Sequence, residues 1–353
     1  MEKKTPQPSE KAIYTLAECG TTKIESATEM PIRTLFGKGT DLADKRALNN
    51  RARRKLTAQV LCVMVATELE KRGEKELART FWNTFHCQRK LVSHKGRSYG
   101  DYCKNRFCPL CVSIRRGEFI NRYLPVIETW EDPYFVTLTQ KSVPAEKLER
   151  WFFGVDKAFR QIKNKYKKRN QRGGKIKFMG IKCLECNFNP KRKWYNPHLH
   201  LIVPNKAMAD LLKLEWQKKW TEKFTSPLAQ KIRRVGSHRR DLIETIKYGS
   251  KIFTDFDARD KGKMPPKIYV AAMINIYKAM KPYHLFDSFG FNLPKEEKSS
   301  TKTIVPSVEC KDFIYAPEVY DWVNDKTGEG LTGYTPTAQL VWLFEENVDI
   351  DLQ

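Results

Sequence analysis

The apolar positions of this chain change period along its length, and those changes divide it. Residues 1–40 are polar and weakly patterned and are expected to form a flexible tail. From 41 to 85 the apolar residues, with Leu56, Val60, Val63 and Leu69 among them, fall near helical spacing. The run Tyr134–Thr139, YFVTLT, is aromatic and β-branched and predicts a strand. Ser142 and Pro144 then open a helix whose apolar stripe is Leu148, Trp151, Phe152, Val155, Phe159, Ile162 and Tyr166, the pattern of a helix packed on a sheet. After a basic turn, KKRNQRGGK, strands are expected over 176–187 and 198–203. A helix, a basic segment (Lys231–Arg240) and a second helix fill 206–255, and another apolar helix spans about 267–281. Residues 294–303 are linker-like; beyond them Trp322 and Trp342 suffice for a small packed element before an acidic end. No internal repeat interrupts this order. The expected organisation is an α+β chain with a tail (1–40), a helical and Cys-rich region (41–125), a sheet-containing domain (126–292), and a linker with an accessory segment (293–353).

The densest chemistry lies where the period is two. In Asn196-Pro197-His198-Leu199-His200-Leu201-Ile202-Val203 a strand places His198 and His200 on one face and Leu199 and Leu201 on the other. In the preceding strand Glu185 shares its face with Cys183 and Asn187. If the two strands pair, Glu185 joins the imidazoles as a third ligand for Mg²⁺ or Mn²⁺. Two imidazoles and a carboxylate leave positions open for a phosphate oxygen. Cys183 and Cys186 point to opposite faces of such a strand and cannot share an ion, so they read as buried small residues.

Charge narrows the partner. The 353 residues carry 65 Lys and Arg against 41 Asp and Glu, a formal net charge of +24, which favours a polyanion such as DNA or RNA. The cluster Arg51, Arg53, Arg54 and Lys55 is expected at a solvated surface. The longest apolar stretch, near Val60–Ala66, is far short of a bilayer span, and the N-terminus lacks the apolar core of a signal peptide. A cytoplasmic, reducing setting is therefore expected, in which cysteines serve as thiols or metal ligands. Cys87, Cys103, Cys108 and Cys111, the last pair enclosing Pro109, have the spacing of a structural Zn²⁺ site. His86 and His94 are possible substitutes for one thiol, and four free thiols are the simpler alternative. Such a site would present Arg106, Arg115 and Arg116 to DNA.

The second constellation is Glu244-Thr-Ile-Lys247-Tyr248-Gly-Ser-Lys251. In a helix Glu244 lies beside Tyr248, with Lys247 and Lys251 nearby to stabilise a phenolate. Taken alone, a helical Tyr beside a Glu is ordinary packing; the His-x-His strand upstream is what gives it chemical meaning. No Walker-type glycine loop is present.

His198-Leu199-His200 followed by Glu244-x-x-Lys247-Tyr248-x-x-Lys251 resembles the signature of the HUH endonucleases, and among them the single-tyrosine replication initiators of small rolling-circle plasmids of Gram-positive type. Phe135–Thr139, Leu184-Glu185, Leu285–Gly290 and the Cys-Pro-x-Cys segment fit the same pattern, over roughly residues 85 to 292. Tyr283-His284 stands where that family often has a basic residue before its Leu-Phe segment. The resemblance implies an antiparallel sheet of about five strands carrying the metal ligands, with helices behind and the tyrosine helix in front. It further implies that Tyr248 cuts one DNA strand, keeping the 5′ end and freeing a 3′-OH, and that Glu244 serves as general base for a later water attack. Arg239 and Arg240 join Arg115 and Arg116 as expected DNA contacts, and host helicase and DNA polymerase become expected partners. A transposase or mobilisation relaxase of the same superfamily, or a non-catalytic zinc-containing nucleic-acid-binding protein, would share part of these residues.

Overall fold

The computed structural model of the protein describes residues 31–174, 176–245, 266–293 and 302–347. The elements in chain order are β1 (Ile32–Phe36), β2 (Thr40–Asp41), α1 (Lys45–Lys71), α2 (Lys75–Phe85), β3 (Lys90–His94), β4 (Arg97–Gly100), α3 (Pro109–Glu128), β5 (Tyr134–Thr139), α4 (Leu148–Gln171), β6 (Gly180–Asn189), β7 (Trp194–Val203), α5 (Lys206–Lys219), β8 (Lys231–Arg234), α6 (His238–Thr245), α7 (Pro266–Met280), β9 (Phe286–Phe289), β10 (Lys302–Pro306), β11 (Lys311–Ala316), β12 (Asp321–Asn324) and α8 (Ala338–Asn347). The class is α+β, as expected.

The larger sheet is antiparallel throughout, in the order β8-β5-β7-β6-β9. The back of this sheet is apolar, and α4 covers it. Phe152, Val155, Phe159, Ile162 and Tyr166 are all buried, with Phe159 against Phe289 and Tyr166 stacked on Phe178 at 5.0 Å. Even Lys182, which points back, has its ammonium over the Phe159 ring at 5.3 Å rather than in water. Gly290 ends β9 with φ +77°, and a Cβ there would stand 1.9 Å from the Phe178 carbonyl oxygen. Only glycine fits this close approach, which accounts for the glycine after Leu285–Phe289.

A second antiparallel sheet, β12-β11-β3-β4-β2, joins the Cys-rich region to the C-terminal segment, and β1 pairs with β10. Trp322 is fully buried there and donates its indole N–H to the Gln88 carbonyl at 2.7 Å. Two of the four basic residues expected at the surface are instead interior. Arg51 donates to Gln88 Oε1 and Ser98 Oγ, and Lys55 Nζ donates to the carbonyls of Phe85 and Cys87 at 2.8 and 3.0 Å. Burial pushes the Lys55 ammonium down to about 8, against the opposing pull of the nearby thiols. The expectation failed because Lys55 satisfies backbone carbonyls, and Arg51 a side-chain amide and a hydroxyl, all some 30 to 50 residues away, pairings that local spacing does not encode. Among the described residues no helix is long and apolar enough to cross a membrane.

Candidate metal centre and nicking site

The pairing of β6 with β7 sets Glu185 opposite His198 and Cys183 opposite His200, while β5 sets Thr137 opposite His200. Directly paired residues of antiparallel strands share a face, so the two imidazoles and the carboxylate meet. His198 Nε2 and His200 Nε2 are 3.1 Å apart, and Glu185 Oε2 lies 3.6 and 3.4 Å from them. An octahedral ion with bonds of about 2.1 Å holds neighbouring donors about 3.0 Å apart. The donor set therefore fits a hard divalent cation bound by one edge of imidazoles and a carboxylate, with the remaining positions free. The second ring nitrogens are tied down behind. His198 Nδ1 donates to the Asn196 carbonyl at 2.9 Å, and His200 Nδ1 is hydrogen-bonded to the Thr137 hydroxyl at 3.2 Å. The first of these contacts fixes the tautomer that leaves Nε2 as a lone-pair donor.

Glu185 and His198 are each only 3% exposed. Burial alone would raise the Glu185 carboxyl, but the adjacent His198 and His200 rings outweigh it and hold the group down at about 2. The carboxyl is thus an anion across the neutral range. The strand end beside it is clamped. The Thr139 carbonyl accepts from Trp216 Nε1, Thr225 Oγ1 and Gln230 Nε2, and the Thr139 hydroxyl donates to Asn196 Oδ1.

Helix α6 lies over the same face. Arg233, on the edge strand β8, stacks over Phe135 at 4.4 Å, and Phe135 lies 5.1 Å from the His200 ring. The Arg233 guanidinium pairs with Asp241 of α6. Asp241 Oδ2 also accepts from the backbone N–H of Gly236, closing the turn into the helix. Burial opposes ionisation of Asp241, but Arg233 outweighs it, so the carboxyl lies below the usual aspartate range. Glu244 is half-buried on α6, where its charge acts on Arg233. Lys247, Tyr248 and Lys251 lie outside the described residues. Arg239 and Arg240 are exposed on the first turn of α6.

The second ligand cluster is Cys87, Cys103, Cys108 and Cys111, whose sulfurs lie within 4.8 Å of one another. Cys111 Sγ is 3.8 Å from Cys87 Sγ and 3.6 Å from Cys103 Sγ. A tetrahedral zinc with Zn–S bonds of about 2.3 Å requires sulfur separations of about 3.8 Å, so the thiols fit that ion; a disulfide needs about 2 Å. Cys108 and Cys111 bracket the first turn of α3. Farther along, Phe119 and Tyr123 of this helix pack on Phe286 of β9, and α3 also contacts α6. Arg106 is spent on structure, donating to the Met280 carbonyl at the end of α7. Arg115 donates to the Lys104 carbonyl, and Arg116 lies close enough to Arg54 to oppose its charge. Cys183 is fully buried and Cys186 half-buried, on opposite faces of β6, as read from the alternation.

Thr137, Asn196, Arg233 and Asp241 escaped the sequence reading. Thr137 was discoverable from strand alternation once β5 was paired with β7. Arg233 was not, because an edge strand written Lys-Ile-Arg-Arg has the polarity of a loop.

Residues 95–257 match the model of a family described as replication protein. A relative named Protein rep from Staphylococcus aureus is 32% identical over 165 residues, 42% of this chain and 69% of that one. The chain belongs to the replication-protein family. Proteins of the same name from Bacillus amyloliquefaciens and a Bacillus species are each 28% identical, over 129 and 109 residues. Those matches cover 34% and 29% of this chain, and 36% and 34% of theirs. No solved structure matches with significance. The matched span contains both ligand clusters apart from Cys87.

Purified protein is expected to hold about one zinc per chain in the cysteine cluster. Cys108→Ser and Cys111→Ser should each lose that zinc and destabilise the chain, since metal binding of this kind is folding free energy. Metal analysis of a folded, zinc-free wild-type preparation would contradict the assignment.

Proposed function

We propose that this replication protein is a plasmid-type initiator that starts rolling-circle synthesis by nicking one strand of its origin with Tyr248. The observation that carries the proposal is the meeting of Glu185, His198 and His200 on the sheet face that α6 covers, with Tyr248 four residues after Glu244 in the sequence. A divalent ion bound there would withdraw charge from the scissile phosphate. The Tyr248 oxygen attacks phosphorus, the bond to the 3′ oxygen breaks, and the strand is left as a 5′-phosphotyrosine and a 3′-OH that primes synthesis. The proton leaving the phenol is balanced by the one gained by the 3′ oxygen. Lys247 and Lys251 stabilise the phenolate. Arg115, Arg116, Arg239 and Arg240 contact phosphates of the origin, and the zinc cluster holds α3 in place. Residues 126–292 form the nuclease unit, 41–125 the helical and zinc-bearing one. With no ATP-binding loop in the sequence, strand separation and extension fall to a host helicase and DNA polymerase in the cytoplasm.

Glu244 resolves a problem of the single tyrosine. Once Tyr248 holds the first 5′ end, a second cleavage needs another nucleophile. The carboxylate four residues before Tyr248 in the sequence can take a proton from water instead.

With a supercoiled plasmid carrying the gene and its flanking DNA, wild-type protein should yield a covalent adduct on denaturing gels. Tyr248→Phe should reduce it by about 10³-fold or more while DNA binding persists. Undiminished adduct in that variant would assign the nucleophile elsewhere. Glu244→Gln should still form the adduct but terminate poorly, accumulating multimeric single strands; unit-length products would reduce Glu244 to a surface carboxylate.

A further inference from the structure

The strands that carry Glu185, His198 and His200 run on past the ligands to a four-residue turn, Pro190–Lys193. Their register is unbroken: Glu185 faces His198, Asn187 faces Asn196, and Asn189 faces Trp194. Trp194 therefore lies on the same face of the hairpin as the ligands. Four residues of strand at about 3.4 Å each separate it from His198 by about 14 Å.

The two faces of this hairpin end differ. On the back, the Phe188 and Tyr195 rings pack at a tilt with centroids 5.0 Å apart, Phe188 meets Tyr269 of α7, and the Tyr195 hydroxyl accepts from Asn275. On the front, Asn187 and Asn189 are exposed and the Trp194 indole is 41% exposed. No aromatic ring among the described residues stacks on it. Lys191, Arg192 and Lys193 precede it, all exposed, and residues 187–196 contain no carboxylate. An exposed indole beside three cations and two amides suits neither the apolar core of a protein interface nor a lipid surface lacking further apolar anchors. It suits a polyanion that also offers flat apolar faces. In a duplex those faces are covered by neighbouring bases; in a single strand they are open.

We propose that Trp194 is a stacking site for an unpaired base of the strand whose phosphate lies at Glu185, His198 and His200, with Lys191, Arg192 and Lys193 holding the flanking phosphates. This rests on the nicking function proposed above and adds a second fixed point on the same strand. Even at the stacked spacing of about 3.4 Å per nucleotide, 14 Å spans about four nucleotides, so the hairpin tip reads a base no more than about four positions from the cut. Holding the strand at two points on one rigid hairpin sets which phosphate reaches the ligands.

The test uses the full chain and fluorescein-labelled oligothymidylate of 20 nucleotides, since stacking tolerates any base. By fluorescence anisotropy Trp194→Ala should weaken binding about 5- to 150-fold, the range for loss of one base–aromatic stack. Trp194→Phe should keep most of the affinity, because a ring is retained. A duplex of equal length should lose little in either variant. Trp194→Ala binding the oligothymidylate as wild type does, or losing duplex and single strand equally, would overturn the proposal. So would a wild-type chain that does not bind the single strand. The assay reads binding alone. An absent Tyr248 adduct with stacking intact would therefore sink the nicking function and leave this contact, and the reverse result would do the opposite.

Discussion

The constraint on which the site depends is the register between β6 and β7. Side chains on a strand alternate, so a slip of one residue would send Glu185 to the α4 side and leave the two imidazoles without their carboxylate. The apolar halves of the same strands prevent that slip. On the back face Leu184 is paired with Leu199, and both are buried. Packing of the back face thus fixes chemistry on the front. Burial of Glu185 opposes its charge, and the two imidazoles beside it outweigh that opposition, so the carboxyl stays ionised.

Around this face the remaining parts act as fixtures. The contact series His200, Phe135, Arg233 and Asp241 ties the ligand strand to α6 through a ring contact, a cation over an aromatic face and an ion pair. The zinc-type cysteine cluster contributes from the other side. It closes the loop before α3, and α3 packs on both β9 and α6. The two metal-type clusters are thus mechanically related through α6 while having different chemistry. Four thiolates leave no open position, and two imidazoles with one carboxylate leave several.

What the sequence revealed follows the reach of its periodicities. The meeting of Glu185, His198 and His200 was legible because alternation is a local rule and the partner strand is the neighbour in sequence. The stripe of α4 was legible because Phe152, Val155 and Phe159 repeat at helical spacing. The cysteines were legible from spacing alone. Pairings between distant segments were hidden: β11 joins β3 across more than two hundred residues, and nothing near Lys90 announces it. Arg51 and Lys55 looked like surface because their partners, a side-chain amide, a hydroxyl and two backbone carbonyls, lie far along the chain. The strand at Lys231–Arg234 was concealed by charge, which is how an exposed sheet edge protects itself from pairing with another chain.

The proposed nicking function requires one divalent ion at His198, His200 and Glu185. Electron spin echo spectroscopy of protein loaded with Mn²⁺, its cysteine cluster already filled with zinc, tests this without requiring DNA or activity. The account predicts one bound Mn²⁺ coupled to the nitrogens of two imidazoles, with His198→Ala and His200→Ala each reducing the coupling to a single imidazole. Bound Mn²⁺ without nitrogen coupling, or with coupling that neither substitution alters, would contradict it.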